Sequence, residues 1–380
     1  LLHGLGAAFQ IVPGSEFAVG SHAPGGAGIG LAVKNVMGIY MKKVALLATA
    51  LAMITGSALA ADMPVKALKA PPPAPFDPWD IAFGGGIMSD YIFRGVTQSN
   101  HKPSVAAYFE PRYNVTKDLQ LYIGASAESI SFANRAAAEV DIYGGIRPTF
   151  GAFAFDIGVW GYLYPGGNCA DGTTLTGGIP GGGVCPVSTN TIFLANGNVM
   201  KKDVSFFEVY GKMNYTVNEN WQFGINEYYS PNFLNTGAWG NYTSITGKWT
   251  APSAMFGTSG FGMYVSGEFG RQWLGTSDAF YGTTFAAPGF AGPFLSGIKY
   301  ADYNTWNIGI GFTYKVFTLD LRYSDTNLSK ADCNAFTSDF QAGFNGSFSN
   351  INPSGVGSNW CGAAGIAKLS FDLTAVTNLK

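Results

Sequence analysis

The feature that most constrains this chain is a repeated pattern: from Trp79 onward, segments about ten residues long alternate apolar side chains with small or charged ones. Leu119, Leu121, Ile123, Ala125 and Ala127 alternate with Gln120, Tyr122, Gly124, Ser126 and Glu128. Trp306, Ile308, Ile310, Phe312 and Tyr314 alternate with Asn307, Gly309, Gly311, Thr313 and Lys315. The same reading fits Phe317 to Ser324 and Lys368 to Ala375. Successive side chains of a strand point to opposite faces. Each segment therefore has one greasy face and one face that mixes glycine with isolated charges. In a soluble sandwich the greasy face would meet a second sheet, whereas glycine and scattered charge opposite it suit a wet lumen.

Twelve such segments can be read, beginning near 79, 104, 119, 139, 152, 204, 221, 240, 260, 302, 316 and 366. Their connections alternate in length. Short ones fall at 115–118, 147–151, 217–220, 250–258 and 315–316, and long ones at 89–103, 130–138, 165–203, 231–239, 271–301 and 328–365. An even strand count with short turns at one end and long loops at the other is the topology of outer-membrane barrels. The expected fold is all-β: a transmembrane antiparallel up-and-down barrel of about 12 strands over residues 79–380, with long outer loops and short periplasmic turns.

Composition separates this from other membrane folds. Only 12% of residues are charged and 47% are hydrophobic, against about 25% charged in an ordinary soluble chain. Yet beyond residue 60 no apolar run approaches the ~20 residues of a spanning helix. A closed barrel is the other way to satisfy every backbone group in lipid. Aromatic residues near segment ends (Trp79, Trp221, Trp249, Trp306, Tyr162, Tyr164, Tyr228 and Tyr229) are expected to form girdles at the two interfaces.

The strongest apolar run lies earlier. Met41-Lys42-Lys43 precedes the run from Val44 to Ile54, and Gly56-Ser57-Ala58-Leu59-Ala60 follows. A charged start, a short apolar stretch and a small-x-small end make a secretory signal peptide over 41–60, cleaved between Ala60 and Ala61. Residues 1–40 lie upstream of that signal and are expected to be an over-extended translation. Residues 61–78, with Ala70-Pro71-Pro72-Pro73-Ala74-Pro75, read as a stiff periplasmic linker. Export by this route points to the outer membrane of a Gram-negative bacterium. Cleavage removes Lys34, Lys42, Lys43 and Glu16, leaving 19 basic and 23 acidic residues, a charge near −4. No basic patch suggests nucleic acid. The four cysteines form two local pairs, Cys169 with Cys185 and Cys333 with Cys361, each inside a long loop. An even count in an exported chain favours two disulfides.

On the alternation, inward acids are Glu110, Glu128, Asp141, Asp156, Glu208, Glu268, Asp320 and Asp372, and inward bases are Arg112, Lys212, Lys248, Arg322 and Lys368. Eight acids against five bases imply a weak preference for cations if the lumen is wet. The alternative is that opposite charges pair across strands and plug a narrow barrel. Arg94, at the entry to the first long loop, is placed to cross the lumen and meet an inward carboxylate, or to serve as a loop latch. The implied partners are outer-membrane lipids, the assembly machinery of that membrane, and small hydrophilic solutes or ions. No cofactor or metal motif is present: Gly84-Gly85-Gly86 lies in a strand rather than before a helix. An enzyme is not expected. A hydrolase would need an activated nucleophile, and the one histidine left after cleavage, His101, stands near Ser99 without a G-x-S-x-G context. A structural or adhesive barrel without pore activity is the remaining class.

Ser89-Asp90-Tyr91-Ile92-Phe93-Arg94-Gly95-Val96-Thr97-Gln98-Ser99 resembles the signature stretch of the TorF family of porin-like proteins. Val140 to Gly145, Gly161 to Gly166, Phe207 to Tyr210, Asp302 to Gly309 and Tyr323 to Thr326 continue the likeness in family order. The resemblance implies an outer-membrane barrel with a diffusion-pore function and brings no catalytic residues. The chain departs from many such barrels in ending on Asn378-Leu379-Lys380 rather than on an aromatic residue.

Overall fold

The computed structural model describes residues 77–167, 191–193, 199–201, 203–278, 297, 299–337, 339–346 and 355–378. The expected signal peptide and most of the proline-rich linker lie outside the described residues. So do Cys169 and Cys185. Of the two expected disulfides, the described residues therefore contain one, between Cys333 and Cys361, and not the bond expected between Cys169 and Cys185.

Twelve long strands close into one barrel. They are β1 (Trp79–Met88), β2 (Ser104–Thr116), β3 (Leu119–Glu128), β4 (Glu139–Phe150), β5 (Phe153–Leu163) and β6 (Phe206–Thr216). The other half is β7 (Trp221–Ser230), β8 (Gly240–Thr250), β9 (Phe261–Leu274), β10 (Tyr303–Tyr314), β11 (Phe317–Thr326) and β12 (Ala364–Thr374). Each strand pairs antiparallel with its chain neighbours, and β1 pairs with β12 to close the wall, Ala82 opposite Thr374 and Met88 opposite Lys368. Short turns gather at one end and long loops at the other, as the spacing predicts.

The alternation becomes the two faces of the wall. Ile123 is 60% exposed and Ile308 59% exposed on the outside, with Ile87, Phe109, Ile157, Phe223, Ile245, Phe269, Leu321 and Leu369 in the same position on their strands. An apolar surface that runs round the whole molecule far exceeds the patch a soluble monomer tolerates. Together with a sheet that has no edge, it defines a membrane-spanning barrel. No helix among the described residues is long and apolar enough to cross a membrane.

Three further expectations need correction. The turn expected at 147–151 shrinks to Gly151-Ala152, because β4 continues through Arg147 and Pro148 to Phe150. Pro148 removes one donor, and its carbonyl face alone suffices at this strand end. The fifth long loop begins after Leu274 rather than at 271, since Arg271 to Leu274 still pair with β8. Among the supposed girdle residues, Trp79, Trp221 and Tyr229 do face outward, but Tyr162 and Tyr164 are buried inside and Tyr228 faces the lumen. Alternation puts them one residue out of phase with the exterior.

A buried apolar cluster sits at the loop end. Val96, Phe132, Tyr162, Tyr164, Phe206, Phe233, Leu274, Tyr303 and Trp360 pack there, together with Cys333 and Cys361. Wall and loops both contribute, so the long loops fold inward over the barrel mouth.

Candidate functional site

The stretch from Ser89 to Ser99 folds as a hairpin, with Ile92–Phe93 paired to Val96–Thr97. Its two tip residues, Arg94 (φ 47°) and Gly95 (φ 78°), both have positive φ, as a two-residue hairpin turn of the primed type requires. Gly95 is needed twice over, since a Cβ there would come within 2.8 Å of Thr326 Cβ. Asp90 anchors the base. Its carboxylate accepts hydrogen bonds from Thr97 Oγ1 (2.6 Å), Ser99 Oγ (2.9 Å) and His101 Nδ1 (2.7 Å).

This hairpin spans the lumen. It leaves β1, and in a ring of twelve the wall opposite β1 is β7. Arg94 meets that wall: its Nη1 and Nη2 donate to the two oxygens of Glu208 on β6, each at 2.8 Å, and Nη1 donates to Gln272 on β9 at 3.1 Å. Its guanidinium lies 4.9 Å from the ring centre of Tyr228 on β7 and 4.4 Å from that of Tyr242 on β8. Tyr162 also donates to Glu208, at 3.1 Å. The Arg94 side chain is 6% exposed and that of Glu208 fully buried. Burial opposes the charge on Arg94, and Glu208 more than offsets it, so the guanidinium holds its proton more tightly than usual. A two-pronged, hydrogen-bonded arginine–carboxylate pair is the geometry that makes such burial tolerable.

Beside it, Tyr91 donates to Glu139 Oε1 at 2.6 Å and Tyr164 to Oε2 at 3.0 Å. Burial, then the Glu139 charge, pushes both phenols well above their ordinary range, so both remain donors. The sixth long loop closes over the hairpin. Ser329 starts a helix at Lys330–Thr337 by accepting from the Asp332 amide at 3.1 Å and donating to its carboxylate at 2.6 Å, a reciprocal N-terminal cap. Cys333 in that helix is disulfide-bonded to Cys361, as the sequence predicts. The Thr97 amide donates to Trp360 O, Trp360 Nε1 to Asn100, and Asn100 to Gln341, so the two loops are knitted together. His101 completes the seam, its Nε2 2.9 Å from Asn359 O. Burial works against the charge on His101, but the Asn359 carbonyl and the Asp90 carboxylate outweigh it and raise the imidazole above its ordinary value of 6.5.

Toward the turn end the lumen carries a different chemistry. Glu110 accepts from Arg112 Nε at 2.6 Å and from Arg147 at 2.7 and 3.1 Å, and Arg147 reaches Asp156 at 3.3 Å. The Tyr122 hydroxyl bonds Asp156 and Tyr210. Across the lumen Arg322 grips both oxygens of Asp320 at 3.0 Å, and Tyr264 donates to Asp320 at 2.7 Å. Tyr108 donates to Asp372 at 2.9 Å. Lys212 sits over Tyr210, Lys248 over Tyr264, and Glu268 accepts from Tyr242 and Asn307. Between the two levels, under the hairpin, lies a cavity of about 230 Å³ bounded by Arg94, Tyr242, Glu268, Asn307 and Arg322.

The structure thus brings Arg94 to Glu208, Glu110 to Arg112, Asp320 to Arg322, and Glu128 to within reach of Asp141. Sequence reasoning missed Arg147, hidden in a supposed turn, and Glu139, the first residue of its strand. It also missed Gln272, assigned to a loop. Continuing the inward alternation one or two residues past each segment would have found all three.

Architecture and lumen together define a membrane-spanning β-barrel whose loop end is filled by its own loops. The model of a family described as a bacterial protein of unknown function (Gcw_chp) matches residues 73–190. No curated protein matches the chain in sequence. Among solved structures, a loop-deletion form of OmpT, an outer membrane protein of Vibrio cholerae, is similar at 10% identity and TM-score 0.31, over 78% of this chain and 100% of that one. LpxR from Salmonella typhimurium aligns at 7% identity and TM-score 0.34, over 77% and 99%. The NanC porin aligns at 8% identity and TM-score 0.33, over 78% and 100%. At these scores the likenesses carry no argument about activity.

Proposed function

We propose that this chain is exported by the signal at 41–60 into the outer membrane of a Gram-negative bacterium. There it serves as a narrow diffusion pore for small hydrophilic solutes or ions. The observation that carries this reading is the charged lumen crossed at one level by the Arg94 hairpin. A wall that faces inward with paired and single charges is suited to water, and the latched hairpin, with the loops packed over it, sets the width. The resemblance to the TorF family of porin-like proteins agrees with this. The excess of inward acids favours cations over anions.

A hydrolase reading has less support. Both ring nitrogens of His101 are taken, by Asp90 and the Asn359 carbonyl, and the Ser99 hydroxyl lies between Asp90 and the Lys102 carbonyl. The hydroxyl therefore has no free imidazole to activate it.

The test is single-channel recording of the purified protein in planar bilayers. The expected result is a small ohmic conductance with weak cation selectivity, rising several-fold in Arg94→Ala. Silence in both proteins, with heat-modifiable gel migration retained, would mean a barrel that does not conduct. Clear anion preference in the reversal potential would remove the selectivity claim.

A further inference from the structure

On the inward face of β3 and β4, two neighbouring rungs place Glu128 opposite Glu139 and Ser126 opposite Asp141. Like charges directly opposite on one face of a sheet repel, and here a third acid stands one rung away. One carboxylate oxygen from each of the three lies within 4.8 Å of the others. Elsewhere in the lumen the close carboxylates meet a guanidinium, as Glu208 meets Arg94, Glu110 meets Arg112 and Arg147, and Asp320 meets Arg322. Among the described residues no lysine or arginine forms an ion pair with Glu128, Glu139 or Asp141. Their donors are neutral: Tyr91 and Tyr164 on Glu139, and the Ser126 hydroxyl, 3.1 Å from Asp141 Oδ2 and 3.5 Å from Glu128 Oε2.

A separate observation concerns Asp141 alone. The residue is 4% exposed, and its second oxygen, Oδ1, is buried with no hydrogen-bond partner. The indole N–H of Trp160, on the adjacent strand β5, lies near Asp141 and is likewise buried without a partner, so the neutral donor at hand leaves the carboxylate charge unbalanced. A buried carboxylate oxygen without a donor is costly and uncommon in folded proteins.

The geometry points to a divalent-cation site formed by Glu128, Glu139 and Asp141, taking Ca²⁺. Oxygen-only ligands select hard ions over those that seek imidazole or thiolate. Oxygens bound to one Ca²⁺ lie about 2.3–2.6 Å from it and so up to ~5 Å apart, which three oxygens within 4.8 Å of one another reach with a small inward shift. Mg²⁺, at about 2.0–2.1 Å, spans only ~4 Å and holds its geometry more strictly. Glu139 also links this site to the hairpin, because Tyr91 donates to it. A cation there ties the hairpin root to the wall through Glu139. The site does not depend on whether the lumen conducts.

The experiment uses the full barrel in detergent micelles and Tb³⁺ as a luminescent probe, excited through the neighbouring tyrosines. The expected result is a saturable signal, displaced by Ca²⁺ and by Mg²⁺ only at higher concentration. Asp141→Asn and Glu128→Gln should each weaken binding by about tenfold or more, as ligand charge sets affinity in such sites. Glu227→Gln, on the outer face of β7, should leave it unchanged. Ca²⁺ should raise the Tm of the parent protein and not that of Asp141→Asn. Where Asp141→Asn does not give heat-modifiable migration, Glu128→Gln, which is only partly buried, decides the matter. No saturable signal, a signal unchanged in both variants, or equal displacement by Mg²⁺ would each overturn the assignment.

Discussion

The two halves of the lumen use arginine in opposite ways. Toward the loops Arg94 is buried with Glu208, reaching it from a hairpin that crosses the barrel. Toward the turns Arg147 and Arg322 keep about a quarter of their side-chain surface accessible; Arg147 reaches from β4 to Glu110 on β2 and Asp156 on β5, and Arg322 pairs with Asp320 on its own strand. The first arrangement fills space and fixes a loop. The second decorates a surface that water still reaches. Desolvation is the difference: a buried charge must have its partner, whereas a wet one merely prefers it.

The largest expected effect tests that asymmetry directly. Removing one partner of the buried pair, by Glu208→Ala, should cost about 3–5 kcal/mol of local stability, because the other charge is stranded. Hydrogen exchange at the Val96 and Thr97 amides would read it. Arg322→Ala should cost only about 1 kcal/mol, as a solvent-reached pair does. Equal losses at the two levels would erase the comparison. Restoring neutrality with Arg94→Met in the Glu208→Ala background should recover much of the loss.

Next in size is the staple of the cap. Reducing the Cys333–Cys361 bond releases a loop with a 28-residue separation, worth about 3–4 kcal/mol in the chain-entropy picture. The loss should fall on the loops alone. Trypsin should then cut after Lys330 while the barrel keeps its heat-modifiable migration. Loss of that migration would show that the cap supports the wall as well.

Charge substitution in the wet half should move selectivity and little else. Lys248→Glu, near the turn end, should shift the reversal potential toward cations with melting unchanged. The smallest effect concerns pH. The folded-state value of His101 is raised, so its contribution to the seam is full below the unfolded value of 6.5 and fades as pH rises through the higher folded value. Exchange at loop amides should therefore quicken across that window, and His101→Gln should remove the dependence.

Much of the wall was legible in the sequence because alternation is a local property. Leu119 to Glu128 and Phe317 to Ser324 read correctly residue by residue, since a period of two leaves no choice of face. Strand ends were less clear where charge or proline interrupts the pattern: Arg147 with Pro148 looks like a turn, and Arg271-Gln272 like the start of a loop. The destination of the hairpin was only half legible. Its sequence marks Arg94 as unusual and Gly95 as a turn residue, but Glu208 as the acceptor depends on which strand faces β1 across a ring of twelve. The Glu139 contacts were invisible as well. They are made by two loop tyrosines, Tyr91 before β2 and Tyr164 after β5, whose direction over the barrel mouth no alternation predicts.

The Arg94 latch also has a temporal side. Glu208 lies 114 residues further along the chain and Gln272 lies 178 further. Neither acceptor exists beside the arginine until half or more of the wall has been laid down. The first segment of the barrel thus carries contacts of very long sequence separation, which can form only once the strands that bear their acceptors are in place.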